Sequence, residues 1–172
     1  INKLFASAKG KKNMEFIDVC MSNLQFSCDV VGAENLPDDD RPLIFVCNHP
    51  QGGVEAICLA HILGHKYDGK IKFHANEFLT SLDPLKELFL PIYKHGQQNK
   101  ENSKAIAEFY ETDNHLITFP AGVTSYRKNG KIIDHEWRKS FVSVAKKYER
   151  DVVPLYFQAR NSNLFYCIEN FR

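Results

Sequence analysis

The stretch Asn48-His49-Pro50-Gln51-Gly52-Gly53-Val54-Glu55 decides the fold. It follows a short apolar run, Leu43-Ile44-Phe45-Val46-Cys47, and leads into the apolar segment Val54 to Leu63. A buried strand, a glycine turn and a helix account for that order. In open α/β sheets the chemistry sits outside the carboxyl ends of strands, and His49 falls at such an end. A histidine there, with the Glu55 carboxylate six residues on, is a base with a candidate orienting partner. Pro50 stiffens the exit from the strand. Gly52 and Gly53 permit backbone shapes that side chains would block, and the helix start presents free N–H groups beside the imidazole.

Outward from this point the same alternation continues. Met14, Ile17, Met21 and Leu24 recur at helical spacing, and Phe26 to Val31 alternates like a strand. Pro37-Asp38-Asp39-Asp40 makes a turn before the Leu43 strand. Ile71 to Ala75 reads as a strand, and Asp83-Pro84 as a helix start with Pro91 ending that helix. A polar loop, Gly96 to Asn102, precedes a helix over Lys104–Glu111. Leu116 to Phe119 is a strand ending at Pro120. Trp137, Phe141, Val144, Ala145 and Tyr148 share one face of a helix expected over Asp134–Tyr148. Asp151 to Phe157 follows as a strand, and Ser162 is placed to cap a last helix. Strands alternating with helices predict an α/β fold, a mixed, largely parallel sheet flanked by helices.

Bulk properties narrow the class. A chain of 172 residues is expected to form a single domain, and its 44% hydrophobic content supports a real core. A formal net charge of +1 gives no reason to expect a nucleic-acid partner. No apolar run approaches the ~20 residues of a membrane-spanning helix. The five cysteines, Cys20, Cys28, Cys47, Cys58 and Cys167, form no C-x-x-C pair, which favours reduced thiols and an intracellular setting. Cys47 and Cys58 lie in apolar runs and read as core.

Two further strand ends carry polar residues. One is Phe119-Pro120-Ala121-Gly122-Val123-Thr124-Ser125-Tyr126-Arg127; the other is Val153-Pro154-Leu155-Tyr156-Phe157-Gln158-Ala159-Arg160. Together with Asn48 to Glu55, these segments resemble the lysophospholipid acyltransferase (PlsC-like) family. The family's first motif is an Asn-His followed by a spacer and an acid, matched by Asn48-His49 to Glu55. Its third motif begins Phe-Pro-Glu-Gly, which Phe119-Pro120-Ala121-Gly122 resembles. Its last is an apolar strand with a proline, similar to Val153-Pro154-Leu155-Tyr156. The match runs from Leu36 to Asn163, with residues 1–35 as a lead-in. Relatives usually extend past the position of Arg172, so the domain is expected to be incomplete at its carboxyl end.

The departures narrow the resemblance. Five residues separate His49 from its acid where the family commonly has four, and the acid is Glu rather than Asp. The His-Pro-x-Gly-Gly form is similar to a bacterial, hemolysin-like subgroup, some members of which acylate amino-acid lipids. Ala121 replaces the motif glutamate, and Thr124 stands where the family usually has the arginine associated with acceptor phosphate. Arg127 or Arg160 is then the candidate anion contact.

The resemblance implies a glycerol-3-phosphate acyltransferase-like fold. It also implies transfer of a fatty acyl group from acyl carrier protein or coenzyme A to the hydroxyl of a lyso-lipid, with neither cofactor nor metal. An imidazole with an ordinary pKa of ~6.5 suits removal of a hydroxyl proton near neutral pH. Glu55 would fix its tautomer. The thiol leaving group, pKa ~8.5, departs without a strong acid. Gln51 and the backbone N–H groups around Gly52-Gly53 or Gly122-Val123 are the expected substrate and oxyanion contacts. A lipid product implies a cytoplasmic protein peripheral to the inner membrane face, drawn there by Lys9, Lys11, Lys12 and the Arg138–Lys147 basic face. The alternatives are conversion of lysophosphatidate to phosphatidate, a lipid-binding protein with a decayed site, and a thiol hydrolase built on Cys47 or Cys58.

Overall fold

The computed structural model describes residues 6–25, 27–38, 41–76, 78–92 and 100–169. Five strands build one sheet: β1 (Ile44–Cys47), β2 (Ile71–Asn76), β3 (Phe89–Ile92), β4 (His115–Thr118) and β7 (Val152–Leu155). Their spatial order is β3-β2-β4-β1-β7, and every pairing is parallel. Among the described residues its ladders all run parallel, as expected of a largely parallel sheet flanked by helices. The antiparallel element is a separate hairpin, β5 (Tyr126–Lys128) with β6 (Lys131–Ile133), turned by Asn129-Gly130 with both residues at positive φ. Asn-Gly suits such a two-residue turn because both positions need left-handed backbone.

Helices cover both faces, which is why β1 and β4 are buried at all four of their positions. On one face α1 (Asn13–Leu24) and α2 (Val54–Lys66) pack Ile17, Leu59 and Leu63 against Phe45, Phe73 and Ile117. On the other, α3 (Lys100–Tyr110) and α4 (Ser140–Lys147) pack Phe109, Tyr110, Phe141 and Val144 against Ile44, Val46 and Leu116. The buried Arg150 guanidinium donates to the carbonyls of Asn114, Tyr110 and Thr112 at 2.6–2.9 Å. It thereby satisfies acceptors at the end of α3 that the helix leaves open. The last helix, α5 (Asn163–Glu169), starts as expected, with the Phe165 N–H donating to Ser162 Oγ at 3.2 Å.

Several elements differ from the sequence reading. Asp83–Leu88 is a 3-10 turn, and Pro91, expected to end a helix, lies inside β3. Among the described residues β3 is an edge strand, where a sheet tolerates a residue with no N–H to donate. The alternating segment Ser27–Val31 forms no strand, and Val31 is 97% exposed. Among the described residues no strand pairs with it, and alternation alone supplies no ladder. The helix expected over Asp134–Tyr148 starts only at Ser140, because the Asp134 carboxylate accepts from the Trp137 indole N–H at 2.9 Å and holds this stretch as a loop. Helix α3 begins at Lys100, inside the expected polar loop. Phe26, Asp39, Asp40 and residues 96–99 of the expected strand, turn and loop lie outside the described residues.

Candidate active site

β1 and β4 are neighbours, yet the chain leaves β1 toward β2 on one side and leaves β4 toward β7 on the other. The crevice beyond their carboxyl ends is thus a topological switch point, the usual ligand position in open parallel sheets. His49 leaves β1 there and Phe119 leaves β4. The two rings stack with centroids 4.4 Å apart, which fixes the plane of the imidazole.

Glu55 sits in the first turn of α2, and its side chain is 0% exposed. Its Oε1 accepts from the N–H groups of Gln51 and Gly52, both at 3.0 Å, and its Oε2 from that of Gly53 at 3.2 Å. His49 Nδ1 lies 2.9 Å from the same Oε1, and its ring side chain is 16% exposed. The contact has the distance of an ion pair but poor alignment with the N–H direction, so Nδ1 gains no full hydrogen bond. Catalytic hydrogen bonds are commonly loose in free enzymes and tighten when substrate binds. Burial drives the Glu55 carboxyl toward its neutral form, but His49 and the amides of Gln51 and Gly52 outweigh it and hold the carboxyl below its usual range.

The turn needs its glycine at Gly52, which adopts φ +87°. That backbone lets consecutive N–H groups converge on one carboxylate. A Cβ there would also meet Thr124 Oγ1 at 2.9 Å, so Thr124 closes over the turn from the β4 loop. Ser125 completes this second wall: its N–H donates to the His49 carbonyl at 2.8 Å and its hydroxyl rests against the Asp134 carboxylate.

Asn48 has a different task. Its amide accepts from the Phe157 N–H at 2.7 Å and donates to the Phe157 carbonyl at 2.9 Å. A side chain thereby extends the β1–β7 ladder past its backbone end. Asn161 Nδ2 donates to the Pro50 carbonyl at 3.1 Å, and Gln51 Nε2 approaches the Arg160 carbonyl at 3.5 Å. The loop carrying His49 is therefore held from β4 on one side and β7 on the other.

Of the residues singled out by sequence, His49, Gln51, Gly52, Gly53 and Glu55 meet as one unit. Ala121 is buried, Gly122 takes φ +68°, and Val123 is exposed. The expected oxyanion role of Gly52-Gly53 does not hold in this conformation, because both N–H groups already serve Glu55. The Gly122 N–H is likewise engaged, by the Phe119 carbonyl at 2.9 Å. Arg127 is exposed on the β5 edge of the hairpin, and the Arg160 guanidinium is tied to Asn163 and the Asn161 carbonyl. Arg138, expected on a basic, lipid-attracting helix face, comes instead to the edge of this site. Its N–H donates to the Pro120 carbonyl at 3.1 Å, and its guanidinium carbon lies 4.0 Å from where a Gly122 Cβ would stand. The unforeseen loop at Asp134–Lys139 brings it there.

Burial pushes the Cys47 and Cys58 thiols up to about 12, so neither is a thiolate nucleophile. A cleft of about 430 Å³ opens beside Lys12, Gly69 and Ile71, at the amino end of β2. It lies across the sheet from His49 and takes no part in this site. The nearby Lys12 likewise belongs to that far edge.

The acyltransferase family matches residues 1–172. The chain belongs to this family. It is 39% identical over 170 residues to the lyso-glycine lipid O-acyltransferase of Phocaeicola vulgatus, covering 99% of this chain and 61% of that protein. It is 41% identical over 170 residues to the enzyme of the same name from Bacteroides thetaiotaomicron, covering 99% and 62%. The chain thus spans about three fifths of the length of these curated relatives. No solved structure matches it.

Proposed function

We propose that this acyltransferase moves a fatty acyl group from a thioester, on acyl carrier protein or coenzyme A, to the hydroxyl of a lyso-lipid whose head group is an amino acid. The observation that carries the proposal is the His49–Glu55 pair, set at the carboxyl ends of the two central strands and backed by three backbone N–H groups. With Nδ1 turned to Glu55, Nε2 is the nitrogen left to take the hydroxyl proton as the oxygen attacks the thioester carbonyl. Glu55 stays ionised and stabilises the imidazolium that forms. The tetrahedral intermediate then collapses, the thiolate leaves, and no covalent acyl-enzyme is needed.

The head group is inferred from three facts. The relatives are named for lyso-glycine lipid. Thr124 stands where the wider family has its phosphate-associated arginine, and here it packs on Gly52. Arg138 offers a guanidinium beside Gly122 for a carboxylate, a planar partner it matches in a bidentate manner.

Peripheral attachment to a bilayer is part of the same reading, supported by apolar rather than basic side chains. Phe78 is 80% exposed just beyond the carboxyl end of β2, and Tyr156 is 80% exposed just beyond that of β7. Leu164 and Ile168 on α5 are exposed as well. Among the described residues no helix is long and apolar enough to cross a membrane.

The test is an acyl-transfer assay on the full-length protein with lyso-glycine lipid and lysophosphatidate side by side. His49→Ala should abolish transfer to either acceptor while the protein melts as the wild type does. Arg138→Ala should raise KM for the amino-acid lipid. Preference for lysophosphatidate would refute the head group assigned here, and an active His49→Ala protein would refute the base.

A further inference from the structure

Outside the active site, one cluster joins two helices through three metal-ligating side chains. His61 and His65 stand one turn apart on the same face of α2, and Asp18 projects from α1 between them. Asp18 Oδ1 lies 2.9 Å from His61 Nδ1 and 2.8 Å from His65 Nε2, with all three atoms within 4.8 Å of one another. The imidazoles meet edge to face at 4.7 Å. The side chains are 37–53% exposed, so a cation from solvent reaches them without the fold opening.

The helices are built to come this close. A Cβ on Gly64 would lie 2.4 Å from the Met14 side chain, so the absence of a side chain at Gly64 is what lets α1 settle on α2. Met14 and Asp18 are themselves one turn apart on α1, which sets the Asp18 carboxylate opposite the His61–His65 pair. The cluster is thus fixed by backbone packing as well as by its own polar contacts.

We propose that Asp18, His61 and His65 form a binding site for a divalent transition cation of the zinc class. Two imidazoles and a carboxylate are a donor set such ions favour. With metal–ligand bonds of ~2.0–2.2 Å, tetrahedral donors sit ~3.3 Å apart, so the two Asp18 contacts widen by about half an ångström while the two ring nitrogens, within 4.8 Å of each other, adjust by side-chain rotation. Each neutral imidazole moves its proton to the other ring nitrogen, and its freed lone pair faces the ion. Water fills the remaining position on the exposed side. The site is separate from the chemistry, because His61 lies six residues, ~9 Å of helix, beyond Glu55. Its effect is to cross-link α1 to the helix that carries Glu55.

The experiment titrates Zn²⁺ and Co²⁺ into the metal-free full-length protein, following heat, the Co²⁺ visible absorption and the thermal midpoint. The expected result is a bound equivalent that raises the midpoint, with affinity at least tenfold weaker in Asp18→Asn and in His65→Gln. His49→Ala should bind as the wild type does, which separates this site from the active centre. Asp18→Asn can keep a hydrogen bond to an imidazole, so helix packing survives while the anionic ligand is lost. The inference is overturned if the wild type binds no equivalent, or if both variants match its affinity and stoichiometry.

Discussion

Replacing Glu55 with Gln tests the site most sharply, because the carboxylate is surrounded by donors. Oε1 faces the N–H groups of Gln51 and Gly52 and the His49 ring nitrogen, and Oε2 faces the N–H of Gly53. A Gln amide has one acceptor. If its oxygen keeps the Oε1 position, its NH₂ group is forced against the Gly53 N–H, leaving one buried donor unpaired. That is worth about 1–3 kcal/mol, and the remaining bonds lose their charge assistance as well. For a chain of this size the expected drop in melting temperature is roughly 2–12 °C. The tautomer of His49 survives in this arrangement, but the imidazolium formed during proton transfer loses its counter-charge. We expect kcat to fall about 10²–10³-fold, within the range usual for general-base contributions, with KM for the acceptor nearly unchanged. The sign with pH follows from the lowered Glu55 carboxyl. Its stabilisation is present above the unfolded value of ~4.3 and is lost as pH falls through the lower folded value, so wild type and variant should converge in acid. Steady-state kinetics and thermal melts from pH 3 to 7 decide it. A variant with kcat within twofold of the wild type would refute the orienting role of Glu55.

Gly52→Ala should be strained twice, by its positive φ and by Thr124 Oγ1 at 2.9 Å from the new Cβ. A loss of about 2 kcal/mol or more is expected in urea unfolding, with activity reduced further as the amides leave Glu55. Asn48→Asp should be more damaging than Asn48→Ala, since a carboxylate would face the Phe157 carbonyl where the amide now donates at 2.9 Å; equal melting temperatures would contradict this. Burial pushes the His74 imidazole down to about 4, so the unfolded chain takes up its proton first. Stability should therefore decline between pH ~6.5 and ~4, by at most about 3 kcal/mol, and His74→Gln should flatten that part of the profile.

The sequence made the central strands legible because their burial is written as unbroken apolar runs, and it marked the His49–Glu55 turn because Gly and Pro punctuate it. It concealed what depends on partners far along the chain. Pro91 argues against a strand unless the strand is known to be an edge, and edge status comes from sheet order. The apolar spacing from Trp137 to Tyr148 mimics a long helix, although Trp137 donates to Asp134 and leaves the helix to begin at Ser140. Arg138 reads as part of a basic helix face for the same reason, although it lies in the loop before Ser140. The Gly52-Gly53 amides looked like oxyanion donors because the sequence cannot show that Glu55 folds back upon them. The order of the hairpin residues Arg127-Lys128-Asn129-Gly130-Lys131 did hold a readable signal, the Asn-Gly turn.

The bonds from Asn48 to Phe157 and from Asn161 to Pro50 close the loop around His49 with a segment more than 100 residues downstream. During synthesis, β1 and its histidine emerge from the ribosome long before their anchor exists. The nascent chain therefore carries an imidazole whose setting is incomplete until β7 docks beside β1.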